Sequence, residues 1–110
     1  MRYLLMTNGD TQPADETMYV EMGKFVAELS QQGVLLATGG LESTGYTVTS
    51  RDGEITITDG PFAEAKEAIA GFALIDVRSK EEAVELSRRF WKIAGNGSGR
   101  IQRVIGPEDF

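Results

Sequence analysis

The sequence predicts a single α+β domain in which two helices cover one side of an antiparallel sheet. Three observations predict it. Two segments of helical period alternate with apolar runs of strand length. Two strictly alternating segments flank an Asp-Gly turn. The apolar runs carry large side chains at consecutive positions, which makes both faces of their sheet apolar.

Arg2 to Thr7 is mostly apolar and suits a strand covered on both sides, with Asn8, Gly9 and Asp10 as its turn. From Asp15 to Gln31 the period changes to that of a helix. Met18, Met22, Phe25, Val26 and Leu29 share one face, while Glu21, Lys24 and Glu28 lie away from it. Asp15 and Glu16 favour the positive end of the helix dipole, and Gly33 supplies a stop. Val34 to Thr38 reads as a second strand, leading into Gly39-Gly40. Tyr46 to Arg51 and Glu54 to Thr58 alternate, and Asp52-Gly53 between them suits a turn that needs positive φ at both central residues. Ile69 to Val77 is the next strand. Ser79 then caps a second helix with Glu82 reaching back as its capping-box partner. Ala83, Leu86, Phe90 and Ile93 form the inward stripe, with Trp91 at its border. Asn96-Gly97-Ser98-Gly99 ends that helix, and Arg100 to Ile105 is the last strand.

Without its hairpin this order is the split βαβ, or ferredoxin-like, arrangement. Tyr3, Leu4, Leu5 and Met6 place bulk on both faces of the sheet, as do Phe72, Ala73, Leu74 and Ile75. Two helices cover only one face. Each large apolar side chain left wet forgoes roughly 1.5–3 kcal/mol, a large part of a small domain's stability. The expected cover is a second copy, packed sheet to sheet as a homodimeric α+β barrel with the inserted hairpin free to lap over its neighbour. The competing expectation is that the hairpin or the C-terminal segment folds over the second face of its own chain.

Composition narrows the function. A chain of 110 residues with 41% hydrophobic content fits one domain, residues 1–110. With no cysteine and no histidine, it has neither a thiol nucleophile nor the usual general base and transition-metal ligand. A net charge of −6 opposes a phosphate backbone, and Arg100 and Arg103 have no aromatic platform between them, so nucleic-acid binding is not expected. Asp10 interrupts the N-terminal apolar run, no stretch approaches a membrane span, and the expected location is cytoplasmic.

The most distinctive piece is Asp59-Gly60-Pro61-Phe62-Ala63-Glu64-Ala65-Lys66-Glu67. Asp59 and Gly60 close the hairpin, and Pro61 fixes φ in a corner that aims Phe62. Corners that hold several charges are common binding and catalytic positions. This nonapeptide resembles the signature of the DGPF-domain proteins, a branch of the YCII-related family. The resemblance runs nearly the whole length, through Arg2-Tyr3-Leu4-Leu5-Met6, Gly9-Asp10, Gly39-Gly40-Leu41, Arg51-Asp52-Gly53 and Gly71-Phe72 to Asp76. Ser79 to Ala83 and Ile101 to Val104 also look like their counterparts. It implies the ferredoxin-like fold and dimerisation through the sheets. Many YCII-related proteins carry a His-Asp pair in a cleft; this chain has no histidine, so that chemistry does not carry over. Some DGPF relatives are encoded beside, or fused to, extracytoplasmic-function sigma factors, which implies a regulatory alternative.

Two functional expectations follow. The first is a small-molecule cleft where the Asp59 to Glu67 corner meets the sheet, possession of a catalytic activity being left open. Asp59 and Glu67 are the candidate catalytic carboxylates, able to act as a base once partial burial raises their pKa. Phe62, Glu64, Lys66, Asp10 and Arg51 are candidate binding residues, with Lys66 or Arg51 to hold an anionic group. Each has a plainer role beside this one. Asp59 and Asp10 suit turns, Phe62 suits a core or interface plug, and Glu64 and Glu67 suit solvent or a pairing with Lys66 or an arginine. The acidic spacing matches no metal-loop motif, so neither metal nor cofactor is expected. The second expectation is a non-catalytic module that binds another protein.

Overall fold

The computed structural model describes residues 1–60 and 68–109. Its elements in order are β1 (Arg2–Asn8), α1 (Glu16–Gln31), β2 (Leu35–Gly40), β3 (Tyr46–Arg51), β4 (Glu54–Asp59), β5 (Ile69–Asp76), α2 (Lys80–Ala94) and β6 (Gly99–Arg103), with a single 3₁₀ turn at Pro107–Asp109. The main sheet has strand order β2-β5-β1-β6, and every neighbouring pair is antiparallel. This is the split βαβ order. β3 and β4 form a separate two-stranded sheet between β2 and β5 in the chain.

Helix ends follow the sequence closely. The Asp15 carboxylate accepts the Met18 N–H at 2.9 Å, which makes Asp15 the N-cap and starts α1 one residue later. At the other end Gly33 has φ +72°, its N–H donates to the Ser30 carbonyl, and the Val34 N–H donates to the Leu29 carbonyl. These two bonds are a Schellman motif, and Val34 and Leu29 both pack in the core. Ser79 caps α2 by accepting the Glu82 N–H at 3.1 Å. The Glu82 carboxylate reaches one residue beyond the expected position, to the Arg78 N–H at 3.3 Å.

The core lies between the helices and one face of the sheet. Tyr3, Phe25, Leu29, Ile75, Val77, Ala83 and Leu86 are buried together, and Ile75 retains 1% exposure. Arg89 of α2 joins the helices by an ion pair to Glu28 at 2.7 Å and lies 4.8 Å above the Phe25 ring. Because Tyr3 and Leu5 pack into this core, alternation turns Leu4 and Met6 to the other face. There Leu4 pairs with Leu74 and Met6 with Phe72; Leu4, Phe72 and Leu74 are half-buried, while Met6 is buried.

β2 runs two residues past the expected strand, through Gly39 and Gly40, which pair with Phe72 and Gly71. Gly39 leaves room beside the Phe72 ring. A Cβ at Gly39 would stand 3.3 Å from the Phe72 ring. In the hairpin, the register sets Val48 opposite Ile57 and Ser50 opposite Ile55, so Tyr46, Val48, Ile55 and Ile57 share one face. Every hairpin position is exposed, these four by 63–69%. The hairpin therefore does not cover the second face of its own sheet.

Candidate functional site

The expected site residues fall into three groups. Phe62, Glu64, Lys66 and Glu67 lie outside the described residues. Asp59 ends β4 opposite Tyr46 and is exposed, and the next N–H, that of Gly60, donates to the Gly45 carbonyl at 2.9 Å. This bond closes the base of the hairpin. Arg51 lies at the opposite end, beside the turn and opposite Glu54. Five residue steps of strand, roughly 17 Å, therefore separate Arg51 from the Asp59 end, and the two do not converge within one chain.

Asp10 lies at the end of the main sheet. Its carboxylate accepts the Ser98 hydroxyl at 2.8 and 2.9 Å and the Ser98 N–H at 3.2 Å. The turn expected here is also present, with the Thr11 N–H and hydroxyl both donating to the Asn8 carbonyl at 3.2 and 2.8 Å. Asp10 thus ties the β1–α1 loop to the α2–β6 loop. Two further contacts reinforce the tie. Asn8 Nδ2 donates to Ser98 Oγ at 3.0 Å, and the Gln12 side-chain carbonyl accepts the Asn96 N–H at 2.7 Å.

One bond brings this loop pair to the distinctive segment. The Gly9 N–H donates to the Ala68 carbonyl at 3.0 Å, and Ala68 directly follows Glu67 in the chain. Asp10 is therefore next in sequence to a residue hydrogen-bonded to the segment's exit. The polar groups around it, Asn8, Gln12, Asn96 and Ser98, are absent from the sequence-derived site. Asn96-Gly97-Ser98-Gly99 reads as a helix stop, and only the packing of α2 shows that the stop lands on Asp10.

Among the described residues, no three acidic groups approach closely enough to hold a metal ion. No helix among them is long and apolar enough to cross a membrane.

Comparisons with known proteins place this fold. A solved structure of 5-chloro-2-hydroxyhydroquinone dehydrochlorinase from Burkholderia phenoliruptrix AC1100, in complex with 2,5-dihydroxybenzoquinone, superposes with a TM-score of 0.51 at 14% identity. The match covers 98% of this chain and 97% of that one, and the likeness is one of fold. A point mutant of CutA1 from Pyrococcus horikoshii OT3 gives a TM-score of 0.40 at 14% identity, over 97% of this chain and 84% of that one. In sequence, uncharacterized protein R00369 of Rhizobium meliloti (strain 1021) is 39% identical over 75 residues, 68% of this chain and 54% of that protein. The chain thus spans about half the length of the curated relative it matches. The YCII-related domain matches residues 1–105, nearly the whole chain, and the chain belongs to the YCII-related domain family.

Proposed function

We propose that this chain is a homodimer, paired sheet to sheet as an α+β barrel, that binds a small molecule where the Asp59–Glu67 segment meets the end of the main sheet. The observation that carries this reading is the Gly9–Ala68 hydrogen bond, which brings the exit of the segment to the residue beside Asp10. Asp59 and Glu67 are the proposed catalytic carboxylates if the site is a reactive one. Phe62, Glu64, Lys66 and Asp10 are proposed to bind. Arg51, at the far end of its hairpin, contributes only across a subunit boundary. The apolar open face of Leu4, Phe72 and Leu74 supports the dimer, since exposed patches of this kind mark interaction surfaces. The nonapeptide supports placement in the DGPF branch. The dehydrochlorinase and its quinone ligand add support for small-molecule binding on this fold.

The exposed apolar face of the hairpin favours a second reading, a non-catalytic module that binds another protein. One experiment separates the two. A panel of small quinones and hydroxylated carboxylic acids is titrated into the isotopically labelled protein, and backbone amide shifts are followed. Binding at the proposed site moves Gly9, Asp10, Ala68 and Ser98, and the Asp59→Ala, Glu67→Ala protein loses those shifts while sedimenting as the wild type does. Unchanged affinity in that variant rejects the site.

A further inference from the structure

The chain has two asparagines, Asn8 and Asn96, and each is followed by a glycine. In an Asn-Gly pair the glycine nitrogen can attack the side-chain amide carbon of the residue before it, because the missing Cβ leaves the approach open. Two conditions decide whether this happens in a folded chain. The asparagine amide must be free to turn, and the glycine N–H must be free to give up its proton.

The fold treats the two pairs differently. Asn8 is the last residue of β1, where it pairs with Ile69 and its N–H donates to the Ser98 carbonyl at 2.9 Å. Its side-chain Nδ2 donates to Ser98 Oγ at 3.0 Å, and the Gly9 N–H donates to the Ala68 carbonyl at 3.0 Å. Both the amide attacked and the attacking nitrogen are therefore held. Asn96, by contrast, is exposed in the α2–β6 loop. Around it the Gly95 N–H donates to the Trp91 carbonyl, the Asn96 N–H to Gln12 Oε1 and the Ser98 N–H to Asp10. Among the described residues, the Gly97 N–H and the Asn96 side chain have no hydrogen-bond partner. Packing itself demands the glycine here, since a Cβ at Gly97 would stand 2.8 Å from the Thr11 Cα.

We infer that Asn96 is a site of spontaneous modification, at which the Gly97 nitrogen closes a cyclic imide on the Asn96 side chain. The bond from the Gly97 nitrogen to Asn96 Cγ forms, the Cγ–Nδ2 bond breaks, and the Gly97 proton leaves with the departing ammonia. Water then opens the imide at either carbonyl, giving aspartate or its β-linked isomer, isoaspartate. Isoaspartate adds one carbon to the backbone between two anchored points. On one side the Asn96 carbonyl accepts the Gln12 N–H at 2.8 Å, and on the other Ser98 is bonded to Asp10. Thr11 and Trp91 stand against Gly97 between them. The longer backbone no longer fits both anchors, so the reaction frees the α2–β6 loop from Asp10 or from Gln12. It is a one-way timer on this end of the fold, and it holds whether or not a ligand binds there.

The wild-type protein is incubated in mildly alkaline buffer, with and without urea, and sampled over time by tryptic digestion. Cleavage after Arg2, Lys24, Lys92 and Arg100 puts Asn8 on the peptide of residues 3–24 and Asn96 on that of residues 93–100. Each loss of ammonia is then read by mass on its own peptide. In the native protein Asn96 is expected to react roughly tenfold faster than Asn8, because the bonds that hold Asn8 and Gly9 must open first. In urea both pairs are released and the two rates converge. Labelling with an isoaspartyl methyltransferase identifies isoaspartate on the peptide of residues 93–100. Emission of Trp91, the sole tryptophan, moves to the red as that label accumulates. Equal rates in the native protein, a rate difference that persists in urea, or Trp91 emission unchanged as isoaspartate accumulates overturns the inference.

Discussion

The Asp10 carboxylate accepts from Ser98 twice, from its hydroxyl, whose one proton lies between the two carboxylate oxygens, and from its backbone N–H, across 88 positions of sequence. The contact fixes two loops at one end of the sheet. It also fixes Gly97 and Gly99, the glycines against which Trp91 packs. Bonds to a charged acceptor exceed neutral ones, but Asp10 is exposed and water competes for it. Asp10→Ala is therefore expected to cost about 1 kcal/mol in urea denaturation. Ser98→Ala should cost a similar amount, and the double variant should cost less than the two singles together. Additive losses would show that the two side chains act separately. Trp91 emission should shift to the red in both single variants as its wall loosens.

The Arg89 guanidinium, hydrogen-bonded to Glu28, holds that carboxyl below its usual pKa, and the same bond raises the pKa of Arg89. Only Glu28 titrates on the acid side. Its folded pKa lies below its unfolded one, so the unfolded chain binds the proton first and stability falls as pH drops through that window. The contribution is present above the unfolded carboxylate pKa, about 4.3, and is lost as pH falls through the folded value. Both side chains are largely solvated, so the effect is small. Subtracting the stability profile of Glu28→Gln from that of the wild type between about pH 6 and pH 2.5 should leave a difference that shrinks toward acid. A flat difference would mean that the pair contributes nothing through its charge.

Leu4 and Leu5 are adjacent and face opposite ways, so the same substitution has different consequences at each. Leu5 packs against the helix-covered core, and Leu5→Glu strands a carboxylate among apolar side chains, at several kcal/mol. Loss of the folded far-ultraviolet dichroism is the expected outcome. Leu4→Glu leaves that core intact and is expected to yield a folded protein of lower sedimentation coefficient. A Leu4→Glu protein that assembles as the wild type does would remove this face from the subunit contact.

How much was legible in the sequence depends on whether a feature is local. The caps at Asp15 and Ser79, the stop at Gly33 and the turn at Asp52-Gly53 are each set by a few neighbouring residues, and the structure has them where the residue types require. The two-faced character of the first strand is equally local, because alternation alone separates Leu4 from Leu5. The Asp10–Ser98 tie is not local. Neither loop announces the other, and the bond exists because β1 and β6 are neighbours in the sheet. The separation of Arg51 from Asp59 is not local either, since a hairpin returns Asp59 to the base while leaving Arg51 at the tip. The hollow of about 250 Å³ between the helices and the sheet is hidden for a related reason. Gly71 and Ala73 read as ordinary strand residues until their register with Thr7 and Leu5 shows that the small side chains share one floor.

The hairpin provides a last test, because its stability is separable from that of the domain. Asp52 and Gly53 have φ +51° and +81°, which matches the twist of a two-residue turn to that of the strands it joins. A β-branched side chain at Gly53 opposes that conformation, and Gly53→Val is expected to cost the hairpin about 1–2 kcal/mol. An isolated two-stranded hairpin is marginal in water, so a loss of that size is enough to open it. Among the described residues β3 and β4 pair only with each other, and the main sheet and both helices have their own hydrogen bonds and core. The thermal midpoint of the domain should therefore stay close to wild type while amide protection from Thr47 to Thr58 collapses. If instead the whole protein loses its midpoint or its assembly state, the hairpin's apolar face of Tyr46, Val48, Ile55 and Ile57 is packed against a second chain in solution, and opening it removes part of the contact that holds the fold.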